Sequence, residues 1–358
     1  MLEDNNTNTS DSPWIRIAAA LFIGGIIIFS LIYFANFLQP LVLAIMIWYF
    51  IFELKKIIGK IKIKGRSLPN WFLSVVAFTI ILLITFGVIQ MLMFNLQLII
   101  ENSATYLANS RAMLENIKAI HGFESIWRYL VDHILEFDFR PLLTELLNSL
   151  SGFAGNLFLI IIYVIFLIVE ERYFSHKLNK LISNDGKLKH ITNIIDQISK
   201  SIRTYTWVKT WISLLIGFIS YIILVLFHID FPILWAFIIF VLNFIPYVGA
   251  LIASLFPSAF AAFQFQSLWM FLWIFMALEA VHIVVGNIVE PKVMGRTLNL
   301  SPLGVLIALA FWGIIWGVLG MIISVPITSI MVIILANFES TRFISIWFSE
   351  TGDLEGVE

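Results

Sequence analysis

The chain has 358 residues, of which 60% are hydrophobic and only 13% charged, about half the ~25% charged residues of a soluble domain. Its 22 basic and 23 acidic residues nearly cancel, so no bulk field draws it to nucleic acid. It has no cysteine, which excludes disulfides, cysteine-ligated metals and thiol catalysis. The charges cluster, leaving apolar runs long enough to cross a bilayer, about 18 residues or more. The fold class is an all-α, polytopic integral membrane protein.

The amino terminus, MLEDNNTNTSDSPW, is polar and acidic. It lacks the basic region of a signal peptide, so the first apolar run is expected to stay as a span. That span covers about 14–34. After a break at 36–40 a second run continues to 52. The next loop carries Lys55, Lys56, Lys60, Lys62, Lys64 and Arg66 against Glu53 alone, and basic loops stay in the cytoplasm. A third span, 71–94, leads outward. Residues 95–150 then change character. Apolar residues recur at helical spacing (Leu96, Ile99, Ile100, Leu107), and Glu101, Glu115, Glu124, Asp132, Glu136, Asp138 and Glu145 outnumber the basic residues. An extracytoplasmic, amphipathic helical insert is expected, its apolar faces covered within the insert or by another subunit. A fourth span, 152–169, returns. The segment 170–210, rich in lysine and arginine up to Lys209, reads as cytoplasmic, and a fifth span, 211–226, ends near Asp230.

No charge occurs from Phe231 to Leu278. Two units there and beyond look broken. Residues 231–263 are interrupted at Pro246-Tyr247-Val248-Gly249, and 301–338 at Gly313, Gly317 and Gly320. Helices stop or kink at such residues. Arms of 14–16 residues reach ~21–24 Å, short of a ~30 Å hydrocarbon core. The units begin near Pro232 and Pro302, and "ALIASLFP" parallels "GMIISVP", with Ser254 and Ser324 in register. One sixth span, 268–289, separates them, so they enter from opposite faces. Paired, Gly/Pro-interrupted segments point to a transporter binding site. The expected architecture is about six full spans plus two broken or re-entrant hairpins. It divides into 1–94, the insert 95–150, 151–230, a transport core 231–338 and a tail 339–358, with both termini cytoplasmic.

The sixth span carries Glu279 and His282, followed by Gly286 and Glu290. Their i, i+3, i+7, i+11 spacing puts all four on one helix face. A carboxylate at mid-bilayer costs at least ~2.5–3.5 kcal/mol. The pair lines a polar path, joins helices, or lies at a wet interface; the first reading leads. Asn243, Tyr247 and the unwound backbone around Pro246 and Gly249 present polar groups that lipid does not tolerate unless protein or water covers them. Ser254 and Ser324 either join that path or bond back to their own helices.

The stretches "NFIPYVGALIASLFP" (243–257) and "NIVEPKVMGRTLNLSP" (287–302) carry a resemblance. The first holds a P-x-x-G break. The second has the form N-x-x-E-P-x-x-M-G-x-x-L-x-L-S-P, here Asn287, Glu290, Pro291, Met294, Gly295, Leu298, Leu300, Ser301 and Pro302. Gly320 and a V-P ending at Pro326 follow. This region resembles the autoinducer-2 exporter (AI-2E) family of bacterial inner-membrane proteins. The resemblance implies a multi-span transporter or permease, a homo-oligomer, and no cofactor. It leaves the cargo open: some members export a small, polar, furanone-derived signal, and others are linked to sodium or lithium/proton antiport.

Enzyme chemistry finds little footing. "EERYFSH" (170–176) lacks partner histidines, and no H-E-x-x-H metal pattern, nucleophile elbow or P-loop is present. Transport would draw on an ion gradient or the solute's own gradient. The expected function is a secondary transporter or facilitator exporting a small polar solute across the inner membrane, with Glu279 and His282 coupling it to protons. A monovalent-cation/proton antiporter is the second reading, and a membrane scaffold binding a partner through 95–150 the third.

Overall fold

The structure, a computed structural model, describes residues 13–60, 68–106, 108–109, 139–182, 185–294 and 299–352. Most of the expected insert, 110–138, lies outside the described residues, as does Gly295. Every regular element among the described residues is helical. In chain order they are α1 (Pro13–Tyr33), α2 (Ala35–Gly59), α3 (Asn70–Glu101), α4 (Phe139–Leu181), α5 (Asp185–Leu226), α6 (Pro232–Leu242), α7 (Val248–Phe265), α8 (Leu268–Val284), a π-helix (Val285–Val289), α9 (Glu290–Met294), α10 (Pro302–Ala336) and α11 (Arg342–Phe348). Among the described residues, six stretches are long and apolar enough to cross a membrane: α2, α3, Gly186–Leu226, α7, Leu268–Val293 and α10. The protein is an all-α, multi-pass membrane protein.

Several helices overrun the apolar runs that announce them. α3 continues past 94 to Glu101, and α5 joins the basic segment to the fifth span as one rod. Charges do not end a helix; unsatisfied backbone does, and α5 meets no proline. Four buried α5 residues, Val208, Ile212, Ile216 and Leu224, anchor one apolar core with α6, α7 and α8, which contribute Ile239, Ala253, Ile274 and Leu278 among others. A second core joins α2, α3 and α4 through Ala44, Ile51, Ala77, Ile160 and Val164.

Both broken units turn back on themselves. In the first, α6 and α7 form a hairpin whose arms meet where Trp235 packs on Phe260, ring centroids 5.3 Å apart. The break runs over Asn243–Tyr247, with Tyr247 at φ 59°. Gly249 lies just inside the returning arm. A Cβ there would come within 1.9 Å of the Leu242 carbonyl. In the second, helical geometry fails within α10 at Trp316 and at Gly317, φ 62°. Trp312 Nε1 donates to Thr328 Oγ1 at 3.3 Å. Sixteen residues apart on a straight helix they would be ~24 Å apart, so the chain has reversed. Gly320 repeats the close approach: its Cβ would lie 1.9 Å from the Trp312 carbonyl. Neither unit crosses as a single rod.

The hairpins open at opposite ends of α5. The first opens beside its carboxyl end, where the Gln264 side chain accepts from the Asp230 amide and donates to the His228 carbonyl, both at 2.9 Å. The second opens beside the amino-terminal half of α5, where Ile333 and Ala336 pack on Ile194 and Ile198. Ser301 caps its first arm by accepting from the Gly304 amide at 3.0 Å, with Pro302 at the first helical position.

Candidate functional site

α5 supplies one wall of a polar seam. Tyr205, Lys209 and Ser213 recur every fourth residue, so they share a face, and all three are buried. Lys209 is 6% exposed. Hairpin one crosses α5 at Gly217, where an added Cβ would sit 3.2 Å from the Ala236 carbonyl. That close crossing brings the break of the hairpin onto the seam. Asn243 Nδ2 donates to Ser213 Oγ at 2.8 Å, and both residues are buried.

α8 and the π-helix supply the opposite wall. His282 is buried, and its Nε2 has no hydrogen-bond partner among the described residues. Its neighbour in electrostatic reach is Lys209. Glu279 is half-buried; its Oε1 is buried and likewise unpartnered. α7 and α8 are antiparallel and joined by Gln266–Ser267 alone. Residues equally distant from that turn lie at equal depth. Ser254 and Glu279 stand in that relation, and the Ser254 hydroxyl is fully buried without a partner. Two orphan oxygens thus stand at equal distance from one turn. Such groups carry a desolvation penalty of about 1–3 kcal/mol each, unless water or a ligand meets them.

At one end of the seam Lys209 Nζ meets Glu290 Oε1 at 2.8 Å. The π-helix brings Glu290 there: its amide bonds to the Val285 carbonyl, five residues back. Single π turns occur mostly inside α-helices and frequently at functional sites. Tyr205, whose hydroxyl is buried and unpartnered, feels the Glu290 charge.

The other residues singled out in the sequence scatter. Tyr247 is 59% exposed at the turn of hairpin one, Pro246 half-buried, and Gly249 serves the arm crossing. Asn287 is exposed, as is Pro291. Ser324 bonds back to the Met321 carbonyl at 2.7 Å, and Pro326 sits inside the returning arm of α10. Hairpin two packs principally on α5, α11, α1 and α2, with Trp316 Nε1 donating to the Leu31 carbonyl at 3.0 Å. α5 therefore carries hairpin one near Ser213 and Gly217 and hairpin two nearer its amino terminus, at Ile194, Ile198 and Ser201, and Ser324 and Gly320 stay with hairpin two. Lys209, Ser213 and Tyr205 were not among the candidates from sequence. Their i, i+4, i+8 spacing was the available signal, but within a basic segment it reads as topology.

Further polar ties lie elsewhere. Glu53 of α2 is buried and pairs with Lys56 and Arg203, both at 3.2 Å, while Lys55 pairs with Glu171 at 3.1 Å. Beyond the membrane-spanning part of α3, the Tyr106 hydroxyl donates to Asp230 at 2.9 Å. Burial, then that bond and the Asp230 charge, push the Tyr106 hydroxyl well above its ordinary value. A groove between α2, α3 and α4, lined by Ile47, Phe78, Ile81 and Val164 among others, is almost wholly apolar, with Thr85 its one polar side chain. Among the described residues, no three of His, Asp and Glu converge as a metal site requires.

Residues 17–340 match the family model described as AI-2E family transporter. A putative transport protein of Borreliella burgdorferi is 28% identical over 100% of this chain and 97% of its own length. One of Haemophilus influenzae, also called a putative transport protein, is 28% identical over 77% of this chain and 81% of its own. The AI-2 transport protein TqsA of Escherichia coli is 32% identical over 58% of this chain and 60% of its own. With the helices, the paired hairpins and a match over nearly its whole length, the chain belongs to the AI-2E transporter family.

Proposed function

We propose that this transporter is a secondary carrier or facilitator for a small polar, hydroxylated solute of the AI-2 kind, moved across the bacterial inner membrane along the seam of α5, hairpin one and α8. The observation that carries the reading is the mid-depth layer of buried, unpartnered polar atoms: Ser254 Oγ, Glu279 Oε1 and, one turn on, His282 Nε2. Water or a hydroxylated solute completes their bonds; lipid cannot. The basic loop at Lys55–Arg66 supports cytoplasmic termini, and extensive exposed apolar surface on α1 and α3 leaves room for lipid and for further subunits of a homo-oligomer.

A second reading, monovalent-cation/proton antiport, is favoured by the buried, unpartnered Glu279 oxygen. One experiment separates the two. Proteoliposomes are loaded with an AI-2-type furanone or with sodium, under a set proton gradient, using the parent chain, Glu279→Gln and Glu279→Leu. Solute flux that keeps its pH dependence only in the parent supports proton-coupled solute transport. Sodium flux lost in both variants with no solute flux supports the antiporter. Parent flux of neither refutes both.

A further inference from the structure

The seam has an inner end, and a single charge pair stands across it. Ser213 and Lys209 lie one helical turn apart on α5, about 6 Å along the axis. On the Ser213 side are Asn243, Ser254, Glu279 and His282. On the other side α5 continues through buried Tyr205 and Thr206 to exposed Arg203 and Lys200. Whatever leaves the polar layer toward that end passes between α5 and α9, which the Lys209–Glu290 contact at 2.8 Å holds together. Its side chains are 8% and 22% exposed, so solvent screens it far less than a surface pair.

The two partners are not mounted alike. Lys209 is fixed in the middle of a 42-residue helix. Glu290 begins a five-residue helix at the end of the π-helix, and its amide closes the wide i→i−5 turn on Val285. Contraction of that turn to ordinary α geometry would rotate Glu290 by about one residue's step, ~100°. The carboxylate would leave Lys209 while α8 stayed intact. Gly286, inside the turn, has no heavy atom within 4 Å of where a Cβ would be, so nothing wedges the turn there.

We propose that Lys209 and Glu290 are the inner gate of the transport path, closed by their ion pair and opened by a π-to-α change over Val285–Val289. The proposal rests on the reading that the solute follows the seam. A gate differs from a strut in what it controls. A strut contributes stability alone. A gate also decides whether the mid-depth layer can be reached from the α9 side.

The absence of native cysteine gives a direct test. Ser254→Cys puts one thiol in the mid-depth layer. An impermeant charged thiol reagent is added to membrane vesicles of each orientation. With the parent pair, labelling from the α9 side should be slow. With Lys209→Met or Glu290→Gln it should quicken at least about tenfold, and the exchanged pair Lys209→Glu with Glu290→Lys should slow it again. Tryptophan fluorescence melts of each variant show that the labelled protein is folded. Equal labelling in parent and variants overturns the gate and leaves the seam as a path. No labelling in any variant from either side overturns both. Should the single variants not fold, amide exchange in the unaltered chain decides. Residues 285–290 should exchange faster than 274–281 by local opening, and exchange as slow as that of the flanking helix refutes the gate.

Discussion

Gly249 and Gly320 are the positions where hairpin geometry is most exposed to a single methyl group. At each, an added Cβ would lie 1.9 Å from a backbone carbonyl of the opposing arm, of Leu242 and Trp312 respectively. Ordinary contact begins near 3.4 Å, so each hairpin would have to part by about 1.5 Å at its tip. The obstructing atom is main chain, so no rotamer change relieves it. The expected cost is at the upper end of the overpacking range, about 3 kcal/mol or more. In hairpin one the parting also strains the Asn243–Ser213 bond, and in hairpin two the Trp312–Thr328 bond. Gly87 is the internal control. It lies inside α3 with no heavy atom within 4 Å of an added Cβ, and Gly→Ala there should stabilise by up to ~1 kcal/mol. Intrinsic tryptophan fluorescence during thermal or denaturant unfolding in mild detergent reports all three variants. Gly249→Ala and Gly320→Ala should melt clearly below the parent and Gly87→Ala at or above it. If either hairpin variant melts with Gly87→Ala, the arms do not approach as described.

Glu279→Gln should keep the melting temperature and remove the pH dependence of transport, whereas Glu279→Leu should affect both; silence of both variants would put Glu279 at a wet interface. For the Tyr106–Asp230 bond, the raised folded-state value makes its contribution full below the free tyrosine value of about 10 and lost as pH rises toward the folded one. The stability gap between parent and Tyr106→Phe should therefore hold constant from about pH 7 to 9 and narrow only above ~10; narrowing that begins by pH 8 would refute it. Single cysteines at Ser125 and Ser67 should label with an impermeant reagent from outside and only after permeabilisation, respectively, and the reverse pattern would invert the topology. Native mass spectrometry in mild detergent should show one dominant homo-oligomer, and a monomer that transports would remove the need for assembly.

The hairpins could be found in the sequence because their cause is local. Proline and glycine interrupt apolar runs that are too long for one span and too short for two, and the structure turns at Asn243–Tyr247 and at Trp316–Gly317, inside or next to the residues that signal it. The seam was only half legible. Glu279 and His282 stand out because charge is scarce around them. Their partners do not, because Lys209 sits at the end of eight basic residues between 172 and 209 and is indistinguishable by type from lysines that merely face the cytoplasm. What separates it is three-dimensional: hairpin one crosses α5 at Gly217 and the π turn delivers Glu290 to the same place. Neither the crossing nor the π turn leaves a residue pattern. The expectation that both hairpins flank one site did not include α5, for a related reason. Similarity between the two units fixes their shape and leaves open where along a third helix they pack.

The polar residues of the seam divide into two kinds, and the division bears on mechanism. Asn243 and Ser213 satisfy each other, and Lys209 and Glu290 do the same; these would persist in a protein selected for stability alone. Ser254, Glu279 and His282 keep buried atoms without partners. At about 1–3 kcal/mol each, three such atoms cost an appreciable part of the ~5–15 kcal/mol typical of a folded domain, and apolar replacements of similar shape would avoid it. Departures from local consistency of this kind concentrate at functional sites. The satisfied pairs lie at the hairpin break and at the α9 end of the seam; Ser254 and Glu279 lie beyond the break, toward the turn between α7 and α8, and Tyr205, also unpartnered, lies one turn past Lys209. On the proposed reading, a fixed hydrogen bond at the break and a separable ion pair at the α9 end suit an alternating path, because one boundary must hold while the other yields.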